Sequence, residues 1–223
     1  RYVERLNAMG VAADRSHLLT STDVAIDELT DAGVTRAYLV ATAEVRAEFA
    51  ASGIAHDEDD AEAVVLTFDT SLDYRKIREA AALLRAGAPY FATHPDLVCP
   101  TPDGPIPDCG SFIALFAAAT GREPLVLGKP SAAMAGAIRR RLTQQATASG
   151  AAPPARIAFV GDRLYTDVRM ANDHGFTAVL TLTGEATRED LATGPYRADL
   201  VVTDLHELLA LIRGRADVEA ARR

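Results

Sequence analysis

Two short stretches hold the residue types best suited to chemistry. LVLG (125–128) runs straight into Lys129, giving LVLGKPS, and IAFVG (157–161) runs straight into Asp162, giving IAFVGDRLYTD with Asp167 five residues on. Lys129 and Lys76 are the only lysines. A compact ammonium at a strand end, with Pro130 opening the next helix, is a point charge beside a helix N-terminus and suits phosphate. Asp162 and Asp167 face one region if the chain turns into a helix at about Leu164, which puts Asp167 in the first helical turn. Two hard carboxylates with open positions suit Mg²⁺, which keeps several waters and takes its other ligands from substrate phosphate. Spacing alone leaves a second reading open, with Asp162 as a helix cap and Asp167 as a dipole partner.

Such residues can cooperate only if strands carry them to one edge of a sheet. Short apolar runs alternate with helical patterns along the chain. Strands are expected at AYLV (37–40), AEAVVLTF (61–68), PYFAT (89–93), LVLG, IAFVG, TAVLTL (177–182) and ADLVV (198–202). Helices are expected over 43–52, 73–86, 111–121, 131–142, 164–174 and 204–214, with Asp204 capping the last. RYVERLNAMGV reads as a helix already in progress at Arg1, its Val3, Leu6 and Met9 at helical spacing. HPDLVCPTPDGPIPDCG (94–110) is a loop by composition, and ATASGAAPPA (146–155) a connector. Alternation of this kind, with nearly unbroken apolar strands, predicts an α/β fold built on a parallel sheet covered on both faces. Ligands then sit beyond the carboxyl ends of the strands, where Lys129 and Asp162 stand.

Composition narrows the classes of function. The 223 residues carry 23 Lys and Arg against 31 Asp and Glu, a formal charge of −8 that argues against nucleic acid and anionic membrane as partners. No apolar run approaches the roughly 20 residues that span a bilayer. With 48% hydrophobic and 24% charged residues, the chain is that of a globular protein rather than a disordered one. Cys99 and Cys109 are too few for a disulfide framework and read as reduced thiols of a cytoplasmic protein. A dinucleotide fold is disfavoured, since no Gly-x-Gly-x-x-Gly follows any strand.

LVLGKPS followed by VGDRLYTD resembles the haloacid dehalogenase superfamily of phosphatases. The resemblance is to the subfamily of ribonucleotide monophosphatases, 4-nitrophenyl phosphatases and pyridoxal or phosphoglycolate phosphatases. FATHPDLVCPTPDGPIPDCGSFIALFAAATGREPLVLGKPS and VGDRLYTDVRMANDHGFTAVLTLTGE are similar to it throughout, and the likeness covers essentially the entire chain. It implies a Rossmann-like parallel-sheet core from residues 1–32 and 124–223, and an inserted α/β cap from residues 33–123. It also implies Mg²⁺-dependent hydrolysis of a phosphate monoester of a small metabolite, through an aspartyl-phosphate. By resemblance Lys129 holds the phosphoryl group, Asp162 binds Mg²⁺, and Asp167 orients metal-bound water and Lys129. Arg163 and the cap-loop residues His94, Asp96 and Cys99 would contact substrate. Many relatives have Asn where His94 stands, and pyridoxal phosphatases carry a His near the position of Cys99; both departures argue against pyridoxal phosphate. The likeness allows a homodimer.

One departure is large. The family's first motif, an apolar strand followed by Asp-x-Asp-Gly, is absent, as is the Thr or Ser of its second. Asp69 follows an apolar run, but Ser71 stands where the second carboxylate belongs, and Asp103-Gly104 has no strand before it. The expectation is that roughly 45 residues bearing the nucleophilic Asp precede Arg1, and that the chain as given is inactive. The alternative is a non-catalytic phospholigand-binding or regulatory protein that lacks the nucleophile. The acidic run 56–62 reads as a solvated loop and Arg139–Arg141 as surface. His174 suits the last turn of its helix, whereas His17, His56 and His206 have no evident partner.

Overall fold

Apolar, β-branched runs form the strands, and capping side chains and glycines decide where each helix starts and stops. The computed structural model describes residues 2–220, which divide after Arg141 into two units.

The first unit begins with α1 (Tyr2–Ala8), a 3-10 turn (Arg15–His17) and α2 (Ser21–Asp31). There follow β1 (Arg36–Val40), α3 (Ala43–Ala51), β2 (Ala55–His56), β3 (Ala63–Leu66), α4 (Tyr74–Arg85) and β4 (Tyr90–Ala92). Then come β5 (Val98–Cys99), β6 (Ile106–Pro107), α5 (Cys109–Thr120), β7 (Leu125–Val126) and α6 (Ala132–Ala148), whose last residues pass the division. Five strands form one parallel sheet in the order β2-β1-β3-β4-β7, in register Tyr38↔Val64, Val65↔Phe91 and Ala92↔Val126. Parallel strands need helical crossovers, which bury both faces; β1 and β3 are accordingly almost wholly buried. Tyr38, Val40, Val64 and Leu66 pack with Ala80, Ala81 and Leu84 of α4 and Phe116 of α5. Each large apolar side chain buried this way contributes about 1.5–3 kcal/mol.

Caps fix the helix ends. Thr42, Asp73 and Asp108 accept from the backbone N–H groups of Val45, Lys76 and Cys109. Gly53 and Gly87 end their helical segments at φ of +86° and +98°, a conformation that costs glycine nothing. Beyond the end of β3, Lys76 of α4 is 8% exposed and Asp69 only 1%. Lys76 Nζ donates to Asp69 Oδ2 at 2.7 Å, Ser71 Oγ at 2.8 Å, and the Ser71 and Ala41 carbonyls at 3.2 and 3.3 Å. Burial raises the pKa of the Asp69 carboxyl, but the hydrogen bonds from Lys76 and Ser71 outweigh it and hold the group below the usual carboxylate range. Asp69 is therefore a structural ion-pair partner.

The second unit contains β8 (Ala158–Gly161), a π-helical turn (Leu164–Val168), α7 (Arg169–His174), β9 (Thr177–Thr181), α8 (Arg188–Thr193), β10 (Leu200–Val202) and α9 (Leu205–Ala220). Its three strands form a second parallel sheet in the order β10-β9-β8, with Val160 opposite Val179 and Leu180 opposite Val201. Among the described residues β8 is an edge strand of this sheet, with Val160 41% exposed.

The expected α/β class with parallel sheets is present, and the differences are local. The 94–110 loop holds an antiparallel pair, β5 with β6. Asp108 caps α5 so that it starts at Cys109 rather than 111, and α6 continues to Ala148, absorbing the start of the expected connector. The segment from Leu164 opens as a π-helical turn, so Asp167 lies there and not in an α-helical first turn. α2, β2 and α8 were not foreseen: their short or polar segments lack a clear apolar period. His56 does have a partner, since its Nδ1 accepts the Leu39 N–H at 3.0 Å. Arg141 is not simply surface, because it donates to the carbonyls of Arg15, Ser16 and Leu18 at 3.2, 3.2 and 2.9 Å. No described helix is long and apolar enough to cross a membrane.

Candidate functional site

In the second unit, the chain leaves β8 at Gly161 and passes directly into Asp162 and Arg163. Asp162 is held by the loop after β9: its Oδ2 accepts from Glu185 N–H at 3.1 Å, and its carbonyl accepts from Ala186 N–H at 3.0 Å. Gly184 must be glycine for this to happen, because a Cβ there would lie 2.5 Å from the Asp162 Cβ and closer still to the carboxylate. Asp167, 4% exposed, reaches back from the π-helical turn so that its Oδ2 accepts from Arg163 N–H at 3.2 Å. A Cβ on Gly161 would overlap the Asp167 carboxylate. Two glycines thus bring the backbone against two carboxylates and leave space only for those groups. π-Helical turns of this sort recur at functional sites. A donor set of carboxylate oxygens fits a hard divalent cation such as Mg²⁺. The guanidinium of Arg163 is engaged, with Nε 2.8 Å from Glu185 Oε2.

In the first unit, β7 leads through Leu127 and Gly128 to half-buried Lys129. Ser131 shapes this turn: its hydroxyl donates to the Leu127 carbonyl at 2.6 Å and accepts from Met134 N–H at 3.1 Å, starting α6. The Lys129–Pro130 bond is cis. Gly128 presses against the Thr93 carbonyl beyond β4, and a Cβ on it would lie 3.3 Å from the His94 Cβ. Lys129 and His94 therefore follow neighbouring strands at one sheet edge. Nε2 of the His94 ring lies 2.8 Å from Asp108 Oδ1, and Nδ1 lies 2.9 Å from Thr93 Oγ1.

Of the residues singled out from sequence, Asp162 and Asp167 lie in one unit, on the segment that follows β8, and Lys129, His94 and Asp96 lie in the other. Asp96, Asp108 and His94 place one ligand atom each within 4.8 Å of one another. Cys99 stands apart on β5, its Sγ turned to the Pro100 carbonyl at 3.8 Å. Asp108 was missed, though an Asp directly before an apolar helical run is a cap signature. Gly161, Gly128 and Gly184 were missed as well; each is demanded by a close approach that the sequence does not display.

Comparison with known proteins finds relatives of this fold. A family model described as HAD-hydrolase-like matches residues 126–208. The crystal structure of a 4-nitrophenylphosphatase from Thermotoga maritima superposes with a TM-score of 0.83 at 40% identity, covering 93% of this chain and 77% of that one. A dihydroxyacetone phosphatase from Corynebacterium glutamicum is 29% identical over 172 residues, 77% of this chain and 60% of that enzyme. Glycerol phosphate phosphatase from Mycobacterium tuberculosis, solved in complex with magnesium, has a TM-score of 0.81 at 29% identity, covering 93% of this chain and 62% of that one. The chain spans less than two thirds of the length of the curated relatives it matches. These relatives are phosphatases, and with the matched segment and 40% identity to a solved relative covered over 77% of its length, the chain belongs to the HAD-like hydrolase family.

Proposed function

We propose that this chain belongs to a cytoplasmic, Mg²⁺-dependent phosphatase that hydrolyses the phosphate monoester of a small metabolite. The observation that carries the reading is the pair of carboxylates after β8, each seated where a glycine leaves no room for a side chain. Asp162 would hold the cation. Asp167, buried and bonded to the Arg163 N–H, would orient groups around it. Lys129 would offset phosphate charge beside the start of α6. Bound Mg²⁺ supplies charge stabilisation at the phosphoryl oxygens. The nucleophile that forms the aspartyl-phosphate would be an Asp upstream of this chain, since Asp69 is consumed by Lys76. In this reading residues 1–32 and 124–223 are core and residues 33–123 the cap. His94, Asp96 and Cys99 would meet the leaving group. Arg163 would do so only on release from Glu185, a homodimer is allowed, and the chain by itself is inactive.

The test uses the complete protein. Lys129→Ala and Asp162→Asn should each abolish Mg²⁺-dependent hydrolysis of 4-nitrophenyl phosphate. Near-normal turnover in either variant refutes the assignment. Phosphate binding with no turnover in the complete wild type would instead identify a phospholigand-binding protein.

A further inference from the structure

His94, Asp96 and Asp108 form a compact group whose ligand atoms all lie within 4.8 Å of one another. They come from three backbone positions: the end of β4, the loop beyond it, and the cap of α5. The chain fold brings them together at close quarters. Gly110 N–H donates to the Asp96 carbonyl at 2.7 Å, and a Cβ on Gly110 would sit 2.7 Å from the same oxygen. Only glycine allows the loop to lie that near the start of α5.

The His94 ring is held from both ends. Thr93, 2% exposed, places its Oγ1 2.9 Å from Nδ1 and 3.5 Å from the Leu66 carbonyl. That hydroxyl has one proton to give. Given to Nδ1, it leaves Nε2 to donate to Asp108. Given to Leu66, it lets the Thr93 oxygen accept from Nδ1–H and turns an Nε2 lone pair toward Asp108. The second arrangement requires a proton or a metal ion between nitrogen and carboxylate, and an outer partner fixing the ring is the usual companion of a metal-binding histidine. Lys129 follows the neighbouring strand β7, while the segment that carries the three ligands has no basic Lys or Arg of its own. From His94 to Gly121 there are three aspartates and neither Lys nor Arg.

We propose that His94, Asp96 and Asp108 bind a divalent transition-metal ion of the zinc class. One imidazole nitrogen with two carboxylates matches zinc-class ions, whereas Mg²⁺ favours all-oxygen sets such as Asp162 with Asp167. Three protein ligands leave a fourth position open. The inference does not depend on the phosphatase reading, because all three residues belong to the first unit and its test reads metal binding.

Metal-stripped full chain in excess Mg²⁺ is titrated with Co²⁺, whose visible absorption reports a nitrogen-ligated site. One equivalent should bind and be displaced by Zn²⁺. His94→Gln and Asp108→Asn should each weaken binding at least about tenfold, while Asp103→Asn in the same loop and Asp162→Asn leave it unchanged. Absence of Co²⁺ binding, binding that survives both substitutions, or loss on Asp162→Asn alone overturns the proposal. Because Asp108 also caps α5, the wild type provides a second readout. In imidazole ¹⁵N spectra, Zn²⁺ should move the His94 ring resonances and leave those of His206 in place; an unmoved His94 overturns it too.

Discussion

Gly184→Ala tests the candidate cation site without removing a charge. A Cβ at this position would lie 2.5 Å from the Asp162 Cβ, where ordinary contact begins at 3.4 Å. Either Asp162 or the loop must therefore retreat by roughly 0.9 Å. A retreat of Asp162 swings its carboxylate out of place, and a retreat of the loop loosens the 3.1 Å bond from Glu185 N–H that orients it. Misplacing a reacting group by about 1 Å costs on the order of 10²-fold in rate. The expected result in the complete protein is a fall of that order in Mg²⁺-dependent turnover, together with weaker Mg²⁺ binding by calorimetry. Gly184 is exposed, so the melting temperature measured without Mg²⁺ should change little. Wild-type Mg²⁺ affinity and turnover in folded Gly184→Ala would show that Asp162 does not hold the ion.

Other perturbations follow from the same contacts. Lys76→Met strands the buried Asp69 carboxylate and should cost about 3–5 kcal/mol, seen as a lower urea midpoint. Adding Asp69→Asn removes the stranded charge and should recover much of the loss, and equal stability of the single variant and wild type refutes this account. Because the folded-state pKa of Asp69 is depressed, its contribution is present above the ordinary carboxylate range and disappears as pH falls through the folded value. The penalty of Lys76→Met should thus shrink in acid, as the carboxyl protonates. Burial pushes the Cys109 thiol up to about 12, while Cys99 is half-buried at the surface. Iodoacetamide at about pH 8 should therefore label Cys99 in the native chain and reach Cys109 only after unfolding, as peptide mass mapping would show. Asp167→Asn keeps the shape but removes the charge beneath Gly161, and should lower turnover of the complete protein by about 10–100-fold; unchanged turnover would leave Asp167 a purely structural cap.

Much of this protein was legible in its residues. Parallel pairing follows from strands such as RAYLV and AVVL, which are apolar on both faces and separated by helical spans. Strand-end placement of Lys129 and Asp162 follows from the runs that precede them, and LVLGKPS with VGDRLYTD resembled the family to which the chain belongs. These features are local: periodicity, caps and short motifs are written within a few residues.

What only the tertiary structure decided depends on residues far apart in sequence. Nothing near Asp162 announces that Gly184, 22 positions on, must yield it space, and nothing near Asp69 shows whether it is a nucleophile or the partner of a buried lysine. The same holds for His94 and Asp108, joined across 14 positions by a loop that folds back onto α5. A carboxylate's chemistry is set by the donors, charges and solvent around it, and those neighbours are chosen by the packing of distant segments. Sequence alone therefore determined which elements form and which residues they carry, and the fold determined what each of those residues faces.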